Sequence, residues 1–129
     1  MLFILAFALA LLVNNSIRGI GIFRTEFLYL SSSKAPAEDE QFQIYRDAVL
    51  LAHGKPITFR TCDIGGDKHV PYLGLAHEDN PFLGLRAVRM CLHLRPDILR
   101  TQLRALLRAS FYGEIRIMIP MISSPDEMV

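Results

Sequence analysis

Three arginines stand where a parallel α/β chain would gather its chemistry. Arg24 follows the apolar run Gly19-Ile-Gly-Ile-Phe23, Arg60 lies at the end of Ile57-Thr-Phe-Arg-Thr61, and Arg86 comes after the loop Asp63-Ile-Gly-Gly-Asp-Lys68. A guanidinium offers forked donors that match phosphate or carboxylate oxygens two at a time. Three of them at the C-terminal ends of parallel strands would clamp a small dianion or trianion. A long cation directly on a buried strand also needs an anionic partner. Glu26, Asp63 and Asp67 could supply it in a purely structural network, so both readings stand at this level.

Other candidate groups are less selective. Gly65-Gly66 would let backbone approach a ligand closely, or make a tight turn after a strand. The phosphate-cradling spacing G-x-x-x-x-G-K-[ST] is absent. Glu26, Asp63, Asp67, Glu78 and Asp79 are magnesium ligands by type, but no spacing selects among them and none is assigned. His53, His69, His77 and His93 form no ligand pair, and no Ser–His–Asp or Cys–His set can be read, so no residue is assigned as catalytic. Arg100, Arg104 and Arg108 make a stripe at i, i+4 and i+8. It reads as a solvated helix face, with RNA or an acidic partner as the alternative.

The elements that would position the arginines alternate in type. A buried strand is expected over 19–23. Pro36, as a first helical residue, and the acids Glu38, Asp39 and Glu40 start a helix whose apolar face is Phe42, Tyr45, Val49 and Ala52, and Gly54 ends it. Ile57 and Phe59 alternate with Thr58 and Arg60 as in a strand. Asn80-Pro81 predicts a helix start with Arg86 and Arg89 on that helix. Pro96-Asp97 begins another, with Leu99, Leu103, Leu106, Leu107 and Ser110 as its inner face and Gly113 as its stop. A third strand covers 115–119 and Pro120 ends it. Ser123-Ser-Pro-Asp-Glu127 has the pattern of a cap and first helical turn. This order predicts an α/β fold with parallel strands. It also reads as a fold cut short, because no crossover helix follows the third strand.

Composition narrows the class. The chain has 129 residues, 51% hydrophobic and 21% charged, which suits one globular domain. A net charge of +1 disfavours bulk attraction to nucleic acid or an anionic membrane. Cys62 and Cys91 fit no zinc or redox spacing and point to a reducing, cytoplasmic compartment. Residues 1–13 are unbroken apolar, shorter than the roughly 20 needed to span a bilayer, with no basic residue ahead of them. We read 1–15 as an atypical apolar segment, a buried strand or helix, in preference to an export or membrane signal, and 16–129 as the domain.

The strings GIGIFRTEFLYL (19–30), RTCDIGGDK (60–68), NPFLGLRAVR (80–89), RTQLRALLRAS (100–110) and IRIMIPMIS (115–123) occur in the same order as in the phosphoenolpyruvate–protein phosphotransferases, Enzyme I of the bacterial sugar phosphotransferase system. The chain resembles the first half of that family's phosphoenolpyruvate-binding domain over about residues 18–127. Pyruvate phosphate dikinase and phosphoenolpyruvate synthase share the domain type, and DIGGDK looks more like the protein phosphotransferase branch.

The resemblance implies a partial TIM-type (β/α) barrel with roughly half of the eight strands. It implies that Arg24 and Arg60 hold the substrate phosphate, with Arg86 nearby. It also implies Mg²⁺, a histidine-containing phosphocarrier protein as acceptor, a cytoplasmic homodimer and a part in sugar uptake. The family's phosphohistidine motif, its magnesium-binding Glu and Asp and its late catalytic cysteine have no counterpart here; Cys62 and Cys91 do not correspond to that cysteine. An isolated chain of this kind is expected not to turn over. The alternatives are a non-catalytic half-barrel that pairs with a complementary half, or a fragment of a dikinase or synthase relative.

Overall fold

The computed structural model describes residues 19–65, 70–74 and 84–128. Three strands, β1 (Ile20–Arg24), β2 (Ile57–Arg60) and β3 (Ile115–Met118), form one parallel sheet in the order β1-β2-β3. Parallel neighbours need crossovers, and helices supply them. Between β1 and β2 run α1 (Glu26–Leu30) and α2 (Glu38–Leu51). Between β2 and β3 run α3 (Val88–His93) and α4 (Pro96–Ala109). The expected mixed α/β architecture with parallel strands is therefore present.

β2 is the central strand, and its alternation is as the sequence implied. Ile57 and Phe59 are buried, and Thr58 and Arg60 are half-buried on the other face. Phe59 anchors an aromatic cluster, with ring centroids 4.9 Å from Phe23 and 5.1 Å from Tyr45. β1 departs from the buried strand expected over 19–23. Gly21 and Ile22 are exposed and only Phe23 is buried, because β1 pairs with β2 alone among the described strands. The register runs Ile20 to Ile57, then Phe23 to Phe59 and Arg24 to Arg60. One extra residue in β1 makes a bulge there. It resets the pleat so that Phe23 sides with Phe59 and Arg24 with Arg60. On β3, Ile117 and Met118 are exposed.

Helix boundaries and faces differ from those the sequence implies. Pro36 is not the first helical residue of α2: Ala37 caps the helix in an extended conformation, so Pro36 lies just outside. Ala37 has no side-chain oxygen, and Glu40 caps instead by accepting from the Ala37 N–H at 2.8 Å. The buried face of α2 is Gln41, Tyr45, Ala48 and Val49, continued by Ala52, with Phe42 only half-buried. On α4 the buried residues are Ile98, Gln102, Ala105, Leu106 and Ala109. Leu107 and Ser110, assigned inward from sequence, are exposed. A polar Gln102 at an inward position shifts the face by about one residue.

The arginine stripe on α4 has partners in α2. Arg104 Nε donates to Glu38 Oε2 at 2.8 Å, and Arg108 donates to Glu38 Oε1 and Asp39 Oδ1 at 2.7 Å each. The Arg108 guanidinium also lies 4.2 Å from the Phe42 ring centroid. So Arg104 and Arg108 are partly exposed but tie two helices together. The final turn, Pro125–Met128, is capped as its pattern implied, with Glu127 accepting from the Ser123 and Ser124 N–H groups at 2.5 and 3.1 Å. Among the described residues no helix is long and apolar enough to cross a membrane. Residues 1–18 lie outside them, as do Gly66, Asp67, His69, His77, Glu78, Asp79 and the Asn80-Pro81 start.

Candidate functional site

The site grows from the C-terminal ends of β1 and β2. Arg24 and Arg60 are each the last residue of their strand and are register partners. Each is followed by a buried threonine, Thr25 and Thr61; Glu26 comes directly after Thr25, and Asp63 comes after Thr61 and Cys62. Thr25 Oγ1 donates to the Arg60 carbonyl at 2.8 Å and ties the two strand ends together.

The structure brings the three predicted arginines into one alternating series of charges. Glu26, the first residue of α1, is buried. Its Oε1 accepts a hydrogen bond from Arg60 NH2 and lies 3.6 Å from Arg24 NH2. Arg60 NH1 lies 3.5 Å from Asp63 Oδ2. Arg86 then donates to Asp63 twice, from Nε to Oδ1 at 2.8 Å and from NH2 to Oδ2 at 3.3 Å. Three guanidiniums meet two carboxylates, leaving one net positive charge. The acids considered as structural partners, Glu26 and Asp63, fill that role, and the series is still cationic.

Exposure differs along the series and says where a ligand would enter. The Arg24 side chain is 60% exposed, whereas Arg60 and Arg86 are 18% and 16% exposed. Glu26 Oε2 and Arg60 Nε are buried side-chain polar atoms without a hydrogen-bond partner among the described residues. Native proteins rarely leave such atoms unpaired, and they concentrate where function requires strain or a ligand.

Arg86 reaches the site by a route the sequence did not imply. It does not lie on a helix: α3 begins at Val88, and Ala87 has φ 52. The Ala87 N–H donates to the Ile64 carbonyl at 3.1 Å, which draws residues 84–87 across the loop after β2 and out of helical geometry. Gly65 makes room. It has φ +125, and a Cβ there would lie 2.9 Å from the Leu85 carbonyl oxygen and 3.0 Å from Arg86 Cα. Gly65 thus serves a close approach of this chain's own backbone.

Neither cysteine is a reactive thiol. Burial, reinforced by Cys91 and nearby carboxylates, pushes the Cys62 thiol well up. Burial first, and then Asp97, pushes Cys91 up to about 11. Both are free thiols. The carboxylates Glu26 and Asp63 are engaged by arginines, and the described residues contain no group of three or more metal-ligating side chains. They do not by themselves fit a magnesium site.

Two parallel strands thus end in an arginine pair, with a third arginine drawn alongside by a shared carboxylate. The chain matches the model of the PEP-utilising enzyme, PEP-binding domain over residues 8–129, and it belongs to that family. It is similar to several curated phosphoenolpyruvate-protein phosphotransferases. Identity is 58% over 113 residues with that of Geobacillus stearothermophilus, covering 88% of this chain and 19% of the relative. It is 56% over 119 residues with that of Latilactobacillus sakei, covering 92% and 21%. It is 54% over 115 residues with that of Priestia megaterium, covering 89% and 20%. The chain thus spans about a fifth of the length of these relatives.

Proposed function

We propose that this chain grips the phosphate of phosphoenolpyruvate with Arg24, Arg60 and Arg86, as part of a phosphoenolpyruvate-dependent protein phosphotransferase. The observation that carries this reading is the register pairing of Arg24 with Arg60 at the strand ends, around a shared Glu26 oxygen. Phosphoryl transfer asks a protein mainly for positioning and charge neutralisation. Fixed guanidiniums supply both. Arg60 and Arg86 are held by buried carboxylates before any ligand arrives, so little reorganisation is needed on binding. Arg24, the most exposed of the three, is free to turn onto an incoming phosphate.

The three-stranded sheet is, in this reading, one side of a (β/α) barrel whose C-terminal rim carries the site. The bulge in β1, between Ile20 and Phe23, suits a barrel rim. Because Glu26 and Asp63 are engaged by arginines, a magnesium ion would have to be held by other carboxylates, where it would add to the charge neutralisation the arginines provide. The acceptor is a histidine-containing phosphocarrier protein in sugar uptake, and the working protein is a cytoplasmic homodimer. A second reading, a half-barrel that docks on a complementary half, draws on the exposed Ile22 of β1 and Ile117 and Met118 of β3.

Calorimetric titration separates a phosphate grip from nonspecific charge. Phosphoenolpyruvate should bind the 129-residue chain about tenfold or more tightly than pyruvate, which lacks the phosphate, since charge-assisted hydrogen bonds contribute about 1.5–3 kcal/mol each. Inorganic phosphate should compete. Equal affinity for phosphoenolpyruvate and pyruvate would contradict the proposal.

A further inference from the structure

Gln102 has a role that its place in the core does not require. It sits on the buried face of α4 among Ile98, Ala105 and Leu106, with no exposed surface. An apolar residue would fill that position without any partner. Gln102 instead makes three hydrogen bonds to three different elements.

The bonds fix its orientation. The Cys62 N–H can only donate, so the carboxamide atom 2.7 Å away is Oε1. The amide nitrogen then donates its two protons to Thr25 Oγ1 and Tyr45 Oη, each at 2.9 Å. Each hydroxyl, having accepted, passes its own proton on. Thr25 donates to the Arg60 carbonyl at 2.8 Å and Tyr45 to Gln41 Oε1 at 2.9 Å. Gln41 also accepts from Tyr29 Oη at 3.3 Å and donates to the Pro36 carbonyl at 3.0 Å. Burial pushes the Tyr29 and Tyr45 hydroxyls up, so both keep the protons this arrangement uses.

The partners of Gln102 flank the charged series. Thr25 lies between Arg24 and Glu26. Cys62 lies between the Arg60-Thr61 pair and Asp63, the acid that holds Arg86. One buried carboxamide therefore spans the end of β1 and the loop after β2. We infer that Gln102 is a positioning residue for anion binding: without touching the ligand, it sets the spacing of the Arg24 and Arg60 strand ends and the placement of Asp63. This inference rests on the anion-gripping reading above. Satisfied buried networks of this kind specify one geometry, and a partly satisfied one loses it.

The test compares phosphoenolpyruvate affinity with thermal stability in the full chain. Gln102→Leu keeps the volume and removes all three bonds. Leu106→Ala, on the same buried face, destabilises the core without touching the network. Thr25→Val removes the bridging hydroxyl and Thr25→Ser retains it. The expected result is a loss of affinity of about tenfold or more in Gln102→Leu and Thr25→Val, with Thr25→Ser and Leu106→Ala within about twofold of the unchanged chain. Gln102→Leu binding within twofold of the unchanged chain overturns the positioning role. So does a loss in Leu106→Ala that matches it at equal melting temperature. Should Gln102→Leu not fold, equal affinities of Thr25→Val and Thr25→Ser overturn it. An unchanged chain that binds no phosphoenolpyruvate refutes the anion-gripping reading itself, and the inference with it. That outcome is distinct from a tight-binding Gln102→Leu.

Discussion

Arg24 and Arg60 are neighbours across two parallel strands, the last residue of each, and both approach the same oxygen of Glu26. Two like charges side by side repel, and the buried carboxylate between them offsets that repulsion. The two arginines differ in exposure, so their substitutions should separate binding from stability. Arg24→Ala should weaken phosphoenolpyruvate binding about tenfold or more with a melting temperature close to that of the unchanged chain. Arg60→Ala should do both, because it leaves Glu26 buried without its hydrogen-bonded partner, a change that typically costs about 3–5 kcal/mol. Arg60→Lys should recover part of the stability and little of the binding, since an ammonium lacks the fork. Calorimetry and thermal denaturation of the three variants check this.

The Gly65 approach makes a second prediction. Gly65→Ala puts a Cβ against the backbone of Leu85 and Arg86 at a φ that side chains avoid. It should cost about 1–3 kcal/mol and displace Arg86 from Asp63. Asp63→Asn, which leaves the backbone alone, should loosen Arg86 with less backbone disturbance. Both should weaken phosphoenolpyruvate binding. A Gly65→Ala protein with unchanged melting temperature would contradict the close approach.

The thiols predict an alkaline limit. Cys91 ionises near 11 in the fold, above its ordinary value of 9.0. Below pH 9 both folded and unfolded chains hold the proton, and stability is full. As the pH rises from 9 through 11 the unfolded chain releases a proton that the fold retains, so stability falls. The buried hydroxyls of Tyr29 and Tyr45 act in the same direction above pH 10. Melting temperatures between pH 8 and 11 should decline, and Cys91→Ala should flatten the slope. At pH 8, alkylation of either cysteine should require unfolding.

Glu38 predicts the acid side. Hydrogen bonds from Arg108 and then Arg104 hold its carboxyl below the usual value of 4.5. Its contribution is present above pH 4.5 and is lost as the pH falls through its lowered value. Because this cluster is solvent-exposed, salt should screen it. Glu38→Gln should lower the melting temperature at neutral pH and low salt, and the difference should shrink in high salt and in acid.

Much of this was legible in the sequence, and what was not has physical reasons. The alternation of Ile57 and Phe59 with Thr58 and Arg60 marked β2 because a half-buried strand imposes a period of two. The arginines stood out because cations at buried strand ends need anions. The position of Arg86 ahead of α3 did not show, since the φ of 52 at Ala87 and its tertiary bond to Ile64 have no local sequence signal. Gln102 was missed because a polar residue is normally counted as outward-facing, and its partners lie on three other segments. The repeated Arg-Thr at 24–25 and 60–61 was the available clue to the tie between the strand ends. A pair of buried threonines at matching positions marks backbone that must be held.

The most direct test of the central claim is a nuclear magnetic resonance titration of the 129-residue chain with phosphoenolpyruvate, following the arginine Nε–Hε and backbone amide signals. The arrangement predicts that the largest shifts fall on Arg24, Arg60 and Arg86, and that the Arg104 and Arg108 signals, held by Glu38, stay unchanged. Shifts centred on Arg100, Arg104 and Arg108, with Arg24 and Arg60 silent, would contradict it.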